Sequence, residues 1–349
     1  MLNKTFTFIS FALLSSQAFA VENGTPIDWS QHNNTVRFDS QQTGRQGLCS
    51  GTIIAGRYVL TAAHCLEESE LDSFTISTGD NYPASNRIGH PNFIEDGSFS
   101  GEDIGIVTVA QPIEYSNIQF LNIESREENE PIIIAGFGGT INTLNSVALT
   151  FSHYHWVDHF ALYADVVDED KHTTGGDSGA AWVNETNEII AIHKGSDVTV
   201  SWDDNGNEIN TRETYGTDIQ AVQDFLTSNI DGWHYPTLAD ANGRTTITVQ
   251  SLHQGGVTDS AYTEGDVTLL TNESTCITKG TISPFEQCTY VIESNGDEGK
   301  LFLSDSESVH INKPEDNAGG GNSGSGDSGG SLGFWSLLLL SIASLRRKY

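Results

Sequence analysis

The strongest constraint on this chain is a recurring pattern of short runs rich in Val, Ile, Leu, Phe and Thr, cut by Gly, Asn and Asp. It extends from Val36 to about Ile192, with Gly51-Thr-Ile-Ile-Ala-Gly56 and Pro131-Ile-Ile-Ile-Ala-Gly-Phe-Gly138 as clear examples. Runs this short and this evenly punctuated predict an all-β sandwich or barrel rather than packed helices. One helix is predicted, over Asp218–Leu226, where Ile219, Val222, Phe225 and Leu226 share a face at helical spacing. After Tyr235-Pro236 a second alternating region begins, with Thr245–Val249, Val267–Leu270 and Lys300–Leu303 as its strands. Its size suits a small β-sandwich over residues 236–313, and no solenoid-type repeat is visible.

The two ends read differently from the middle. Residues 1–20 carry Lys4, an apolar run from Phe6 to Leu14 and the small-x-small ending Ala18-Phe19-Ala20, the order of a signal peptide that signal peptidase cleaves. Residues 314–332 are a Gly/Ser/Asn/Asp stretch, too poor in apolar side chains to pack, and are expected to be a linker. Residues 333–349 then turn apolar from Phe334 to Leu345 and finish in Arg346, Arg347 and Lys348. That segment is short for a full span, and the basic cluster would stay on the cytoplasmic side, which implies transient membrane association. With Gly329-Gly330 ahead of it, the tail resembles the GlyGly C-terminal sorting signals of Gram-negative bacteria. The resemblance implies removal by a rhomboid-type sorting protease, export across the inner membrane, and a final place outside the cell or at its surface.

A formal charge of -31 argues against nucleic acid as a partner, since a phosphate backbone would be repelled. All four cysteines, Cys49, Cys65, Cys276 and Cys288, lie in the exported part as two close pairs, which reads as two local disulfides rather than a metal cluster. Cys276 and Cys288 are expected to staple a hairpin or adjacent strands. The stretch Asp203-Asp-Asn-Gly-Asn-Glu208 offers oxygen ligands for calcium, but Asn205-Gly206 is also a strong hairpin turn, and the turn is the preferred reading.

Three segments carry the ingredients of acyl transfer, which needs a base touching a weak nucleophile, a carboxylate orienting that base, and amide donors for the oxyanion. Ser178 sits in Thr173-Thr-Gly-Gly-Asp-Ser-Gly-Ala180, where the N–H groups of Gly176 and Ser178 would form the oxyanion hole. His64 ends a segment that starts at Cys49, and the two cysteines flank a strand pair that would fix the histidine on a short turn. Asp103 heads the apolar run Ile104–Val109. Glu102 is the competing carboxylate, but its side chain is expected to point the other way.

Taken together, in the order His, Asp, Ser, these residues resemble the chymotrypsin/trypsin family over Val21 to about Ile230. Supporting landmarks are His90-Pro91, Gly136-Phe-Gly138, Trp182 and the Asp218–Leu226 helix. The resemblance implies two six-stranded β-barrels in residues 21–235, with a His64–Asp103–Ser178 triad in the cleft between them. It implies hydrolysis of protein or peptide substrates with no metal or organic cofactor. It also implies an activation pair: Val21-Glu-Asn-Gly24 looks like the family's mature terminus, and its amino group would fold inward onto Asp177. The rival expectation is a catalytically silent homologue that uses the cleft for binding or adhesion.

The specificity pocket departs from the family. Six residues before the nucleophile, where trypsins carry an aspartate, this chain has His172. Thr173 and His193 resemble the glutamyl endopeptidases, which bind an acidic side chain, whereas Glu213 near the back of the pocket would attract a basic one. Both readings stand at this point. Lys194 replaces the usual tryptophan, and Thr174 stands where a cysteine normally precedes the nucleophile loop.

Overall fold

The β-branched runs become strands that curl into two sheets, each enclosing its own apolar filling. The computed structural model describes residues 21–67, 70–94, 101–156, 159–202 and 205–314. The leader 1–20, the linker beyond residue 314 and the tail 333–349 lie outside the described residues, as do Asp203 and Asp204. Among the described residues, no helix is long and apolar enough to cross a membrane.

The first sheet has seven strands, in the spatial order Asn81–Pro83, Ser73–Thr75, Thr35–Asp39, Cys49–Ile54, Tyr58–Thr61, Gly105–Thr108 and Asn86–Gly89. Phe38, Leu71, Phe74 and Tyr115 fill its concave side. It curls into a half-barrel which, with the closed barrel that follows, matches the double-barrel fold that the family resemblance implies. At the open seam the guanidinium of Arg87, not a strand ladder, donates to the carbonyls of Leu66, Leu71 and Ala84. The edge strand there ends in Pro83, which has no N–H to offer.

The second sheet closes. Leu144–Tyr154, Ala161–Val166, Glu208–Asp218, Ile189–Trp202, Ala181–Val183 and Pro131–Gly136 follow one another, and the last pairs back onto the first. Ile132, Ile134, Leu149, Leu162 and Trp182 pack inside, while Thr25–Ile27 is added outside, against Leu144–Ser146. The strands Ile189–Trp202 and Glu208–Asp218 stay paired out to Trp202↔Glu208 as one long hairpin, with Gly206 at φ +82° in the turn.

The late helix is longer than its periodicity predicts. Asp218 caps it, accepting from Gln220 N; a 3-10 turn over Ile219–Val222 passes into an α-helix over Gln223–Ile230, which stops at Asp231 with φ 44°. Its apolar side joins Ile54, Leu60, Ile104, Leu121 and Ile192 in a cluster shared by both sheets.

From Trp233 the chain enters a β-sandwich. One layer is Trp233–His234, Gly243–Ser251, Gln287–Ser294 and Thr268–Leu269; the other is Leu238–Ala239, Glu307–Ile311, Gly299–Ser304 and Tyr262–Gly265. Trp233, Val249, Tyr290, Leu301 and Val309 form the filling. The Cys276–Cys288 disulfide joins a short helix, Thr275–Thr278, to the strand Gln287–Ser294, so the staple runs from helix to strand and not between two strands.

Residues through Lys313 form one compact unit, because buried polar groups tie the sandwich to the barrels. His234, with no exposed surface, accepts from Ala55 N at Nδ1 and donates from Nε2 to the Gln119 carbonyl, each at 3.0 Å. Gln250 treats Leu121 as a strand neighbour, accepting its N–H at 2.9 Å and donating to its carbonyl at 2.7 Å, with a second donation to Phe285 O. Replacing Gln250 by Leu leaves the Leu121 N–H and the Phe285 carbonyl buried without partners. The expected loss is roughly 3 kcal/mol of unfolding free energy, read by urea denaturation.

Candidate active site

The Cys49–Cys65 disulfide joins the first strand of a hairpin to a short helix, Ala63–Glu67, and His64 sits on that helix beside it. Two bonds from one carboxylate fix the histidine. Asp103 Oδ2 lies 2.6 Å from His64 Nδ1, and Asp103 Oδ1 accepts the backbone N–H of His64 at 2.9 Å. Asp103 is wholly buried, and Thr217 Oγ1 donates to its carbonyl at 3.0 Å. Glu102 turns away, taking a hydrogen bond from Asn92 Nδ2 with His90 at 3.9 Å.

Ser178 is brought to the same place by its backbone. Its carbonyl accepts from Ser50 N at 2.8 Å and lies 3.8 Å from Cys65 Sγ, next door to His64. The flanking glycines follow from this crowding. A Cβ at Gly179, where φ is +85°, would sit 2.1 Å from Thr61 Oγ1 and 2.2 Å from Ser50 O. Gly179→Ala is therefore expected to cost roughly 3 kcal/mol or more of stability, visible as a lowered thermal midpoint. Gly176 holds φ +105°, and its carbonyl accepts from Ser50 Oγ at 2.9 Å.

Asp177 is buried between the nucleophile loop and Gly136-Phe-Gly138. Its two oxygens accept from Gly138 N and Thr174 N, each at 2.8 Å, and the carboxylate also takes a hydrogen bond from the backbone N–H of Val21. A side chain at Gly138 would run into this carboxylate, its Cβ lying 2.6 Å from Oδ2, which accounts for the glycine there. Burial outweighs the three N–H donors and pushes Asp177 up to about 6. Val21 has no exposed surface.

The four pocket residues make different contacts. His172 lies against the N-terminal segment, with Nδ1 3.1 Å from Thr173 O and Nε2 3.5 Å from Glu22 Oε2. His193 is buried, accepts from Trp182 Nε1 at Nδ1 (3.3 Å), and is driven down to about 3 by burial, with the nearby His64 adding to the effect. Burial thus favours its neutral form. Thr173 is buried with its hydroxyl unpartnered, and Glu213 is half-buried on the long hairpin. Lys194 points back to the Gly101 carbonyl and over the Phe160 ring.

Three residues that matter here escape sequence reasoning. Thr217 behind Asp103 is one β-branched strand residue among many, and Asp165 and Asp197 become neighbours of Glu213 only through sheet register. As for metals, the one described group of His, Cys, Asp and Glu close enough to share an ion is Cys49, His64 and Cys65. Both of its sulfurs are spent in the disulfide.

A half-barrel and a closed barrel meeting at a serine, a histidine and a buried aspartate make the architecture of trypsin-like serine proteases. The family model described as Trypsin matches residues 23–226, more than half of the chain, and the chain belongs to that family. Among curated relatives, it is 28% identical over 112 residues to human chymotrypsin-like elastase family member 1, covering 28% of this chain and 43% of that protein. It is 30% identical over 108 residues to a trypsin of Simulium vittatum, covering 27% of this chain and 42% of that protein. The chain thus spans less than half the length of these relatives. Among solved structures, the VesB protease of Vibrio cholerae aligns with a TM-score of 0.46 at 20% identity, covering 83% of this chain and 98% of that one.

Proposed function

We propose that this protein is an exported serine endopeptidase that hydrolyses peptide bonds through an acyl-enzyme on Ser178. The observation that carries the reading is the two-point grip of buried Asp103 on His64, beside a serine in a glycine loop. With Nδ1–H donated to Asp103, His64 Nε2 is left as a base. It takes the Ser178 hydroxyl proton as Oγ bonds to the substrate carbonyl carbon, and the N–H groups of Gly176 and Ser178 receive the oxyanion. Collapse of this intermediate breaks the C–N bond, and His64 returns the proton to the leaving amine. Water then repeats the sequence on the ester, again with His64 as base, and frees the carboxylic acid.

In this reading, signal peptidase cuts after Ala20 and frees the Val21 amino group to pair with Asp177. The tail 333–349 serves as a GlyGly-type sorting signal, associates transiently with the membrane and is removed by a rhomboid-type protease of a Gram-negative host. The charged start, apolar run and small-x-small ending support the first cut, and Gly329-Gly330 with the basic end supports the second. The test is incubation of the mature protein with a diverse peptide mixture, read by mass spectrometry, beside labelling of Ser178 with a fluorophosphonate. Cuts together with a label on Ser178 support the proposal. Absence of both, in a protein beginning at Val21, would favour the silent homologue that only binds.

A further inference from the structure

The two sheets turn outer faces toward each other behind the nucleophile loop, and strand alternation fixes what stands there. In the first sheet Val36 and Ile53 join the apolar filling, so their neighbours Thr35 and Thr52, paired directly across the ladder, point outward. In the second, Ile132, Ile134 and Trp182 fill the barrel, which turns Ile133, Ala135, Ala181 and Val183 outward. A cavity of about 410 Å³ lies between these faces, lined by both threonines and by those four apolar side chains. Small-molecule sites measure about 300 to 1,000 Å³ and have this kind of apolar wall. None of His64, Asp103 and Ser178 lines it. It is nonetheless close to them, since Ser50, two residues before Thr52, holds the Ser178 carbonyl on its N–H.

Inside the cavity two polar groups are left open. Among the described residues, neither Thr35 nor Thr52 makes a hydrogen bond through its side chain. Thr35 keeps 7% and Thr52 only 2% of its surface, yet neither hydroxyl is among the sealed, unpartnered atoms. What little surface each residue keeps therefore includes its oxygen, and the cavity is what that oxygen faces. The amides along the rim are spent on their neighbours: Gln119 accepts from Asn34 Nδ2 at 3.0 Å and donates to Asn187 Oδ1 at 3.1 Å, and Asn184 Oδ1 accepts the N–H groups of Thr186 and Glu188. Water could reach the two hydroxyls but would leave the apolar walls uncovered, with Ile133 53% exposed.

We propose that this cavity is a second ligand site, separate from the candidate active site, and takes an uncharged amphiphile. A short apolar ring or chain would rest on Ile133, Ala135, Ala181 and Val183, and its hydroxyl would exchange hydrogen bonds with Thr35 and Thr52. The inference goes beyond the endopeptidase reading and does not depend on it. A hydroxyl suits this pair because threonine both donates and accepts. An anionic head would meet Glu185, exposed at the mouth, and a chain of formal charge -31. A cationic head would shed its water among hydroxyls and methyl groups, with no carboxylate inside to receive it.

The test is titration calorimetry of the full protein with para-propylphenol, which is expected to bind. Thr35→Val and Thr52→Val keep the shape of the wall and remove one hydroxyl each, so each should weaken the affinity about tenfold, the loss of one neutral hydrogen bond. Without the phenol, both variants should unfold at the same urea concentration as the parent or a higher one, because no partner within the protein is lost. Thr52→Ser, which keeps the hydroxyl, should retain the affinity. No binding, undiminished binding in both valine variants, or tighter binding of para-propylbenzoate or para-propylbenzylamine than of the phenol would overturn the proposal. Valine variants that unfold at lower urea would overturn it too, since the hydroxyls would then be holding the strands together.

Discussion

Asp103→Asn is expected to lower kcat/KM by about 10^4-fold while leaving the fold intact. The reason lies in the two-point grip. Asp103 Oδ1 accepts the backbone N–H of His64, so an asparagine would keep its carbonyl oxygen there and turn its NH2 toward Nδ1. His64 Nδ1 would then have to accept, its proton would move to Nε2, and no base would face Ser178. Ser178→Ala should cost more, on the order of 10^6-fold, and combining the two should add little, because they act as one unit. Steady-state kinetics on a peptide substrate, beside unfolding curves for each variant, check this. A loss for Asp103→Asn no greater than about tenfold would mean that the carboxylate only props the helix.

The second large effect concerns the amino group that the proposed cut after Ala20 would free at Val21. While a residue precedes Val21, its backbone gives Asp177 a neutral N–H, and burial holds the carboxyl up at about 6 against an ordinary 3.8. The folded state then binds a proton that the unfolded chain has lost. This stabilisation is present at low pH and disappears as pH rises from about 4 to about 6. A free amino group at Val21 would put an ammonium against the carboxylate and favour its ionised form. Stability should then persist through that window and fall only as the ammonium loses its proton, above about 8. Acetylating Val21, or leaving one extra residue ahead of it, is expected to cut kcat/KM roughly 100-fold, the scale of a broken buried ion pair. Urea unfolding of both forms from pH 4 to 9, with activity at each pH, reads both effects. Matching profiles and full activity in the blocked form would sink the pairing.

How far the sequence could be read depends on whether the cause was local. The His64 and Ser178 segments are legible because glycines, cysteines and small residues are packed into a few positions with steric reasons for each, as at Gly179. The all-β fold and the sandwich are legible because alternation is a local signal. The half-barrel form of the first sheet is not, since no local pattern announces that the Arg87 guanidinium will take the carbonyls of Leu66, Leu71 and Ala84. The burial of His193 is not legible, because a lone histidine in an apolar run gives no sign of it. The meeting of Asp165, Asp197 and Glu213 is invisible because it comes only through strand register.

The tie between Gln250 and Leu121 has a further consequence if the protein is the endopeptidase proposed above. Leu121 lies in the crossing segment between Thr108, which ends the first sheet, and Pro131, which begins the second, and Tyr115 and Gln119 in that segment are also bonded to the sandwich. A protease at working concentration is surrounded by copies of itself, and a crossing of this kind is a natural place for one copy to nick another. A cleft of this type must draw its victim out as an extended strand with free amides. In the proposed endopeptidase, the amides of Tyr115 and Leu121 in this crossing are already engaged by Thr237 and Gln250, so the sandwich would guard against self-digestion as well as brace the barrels.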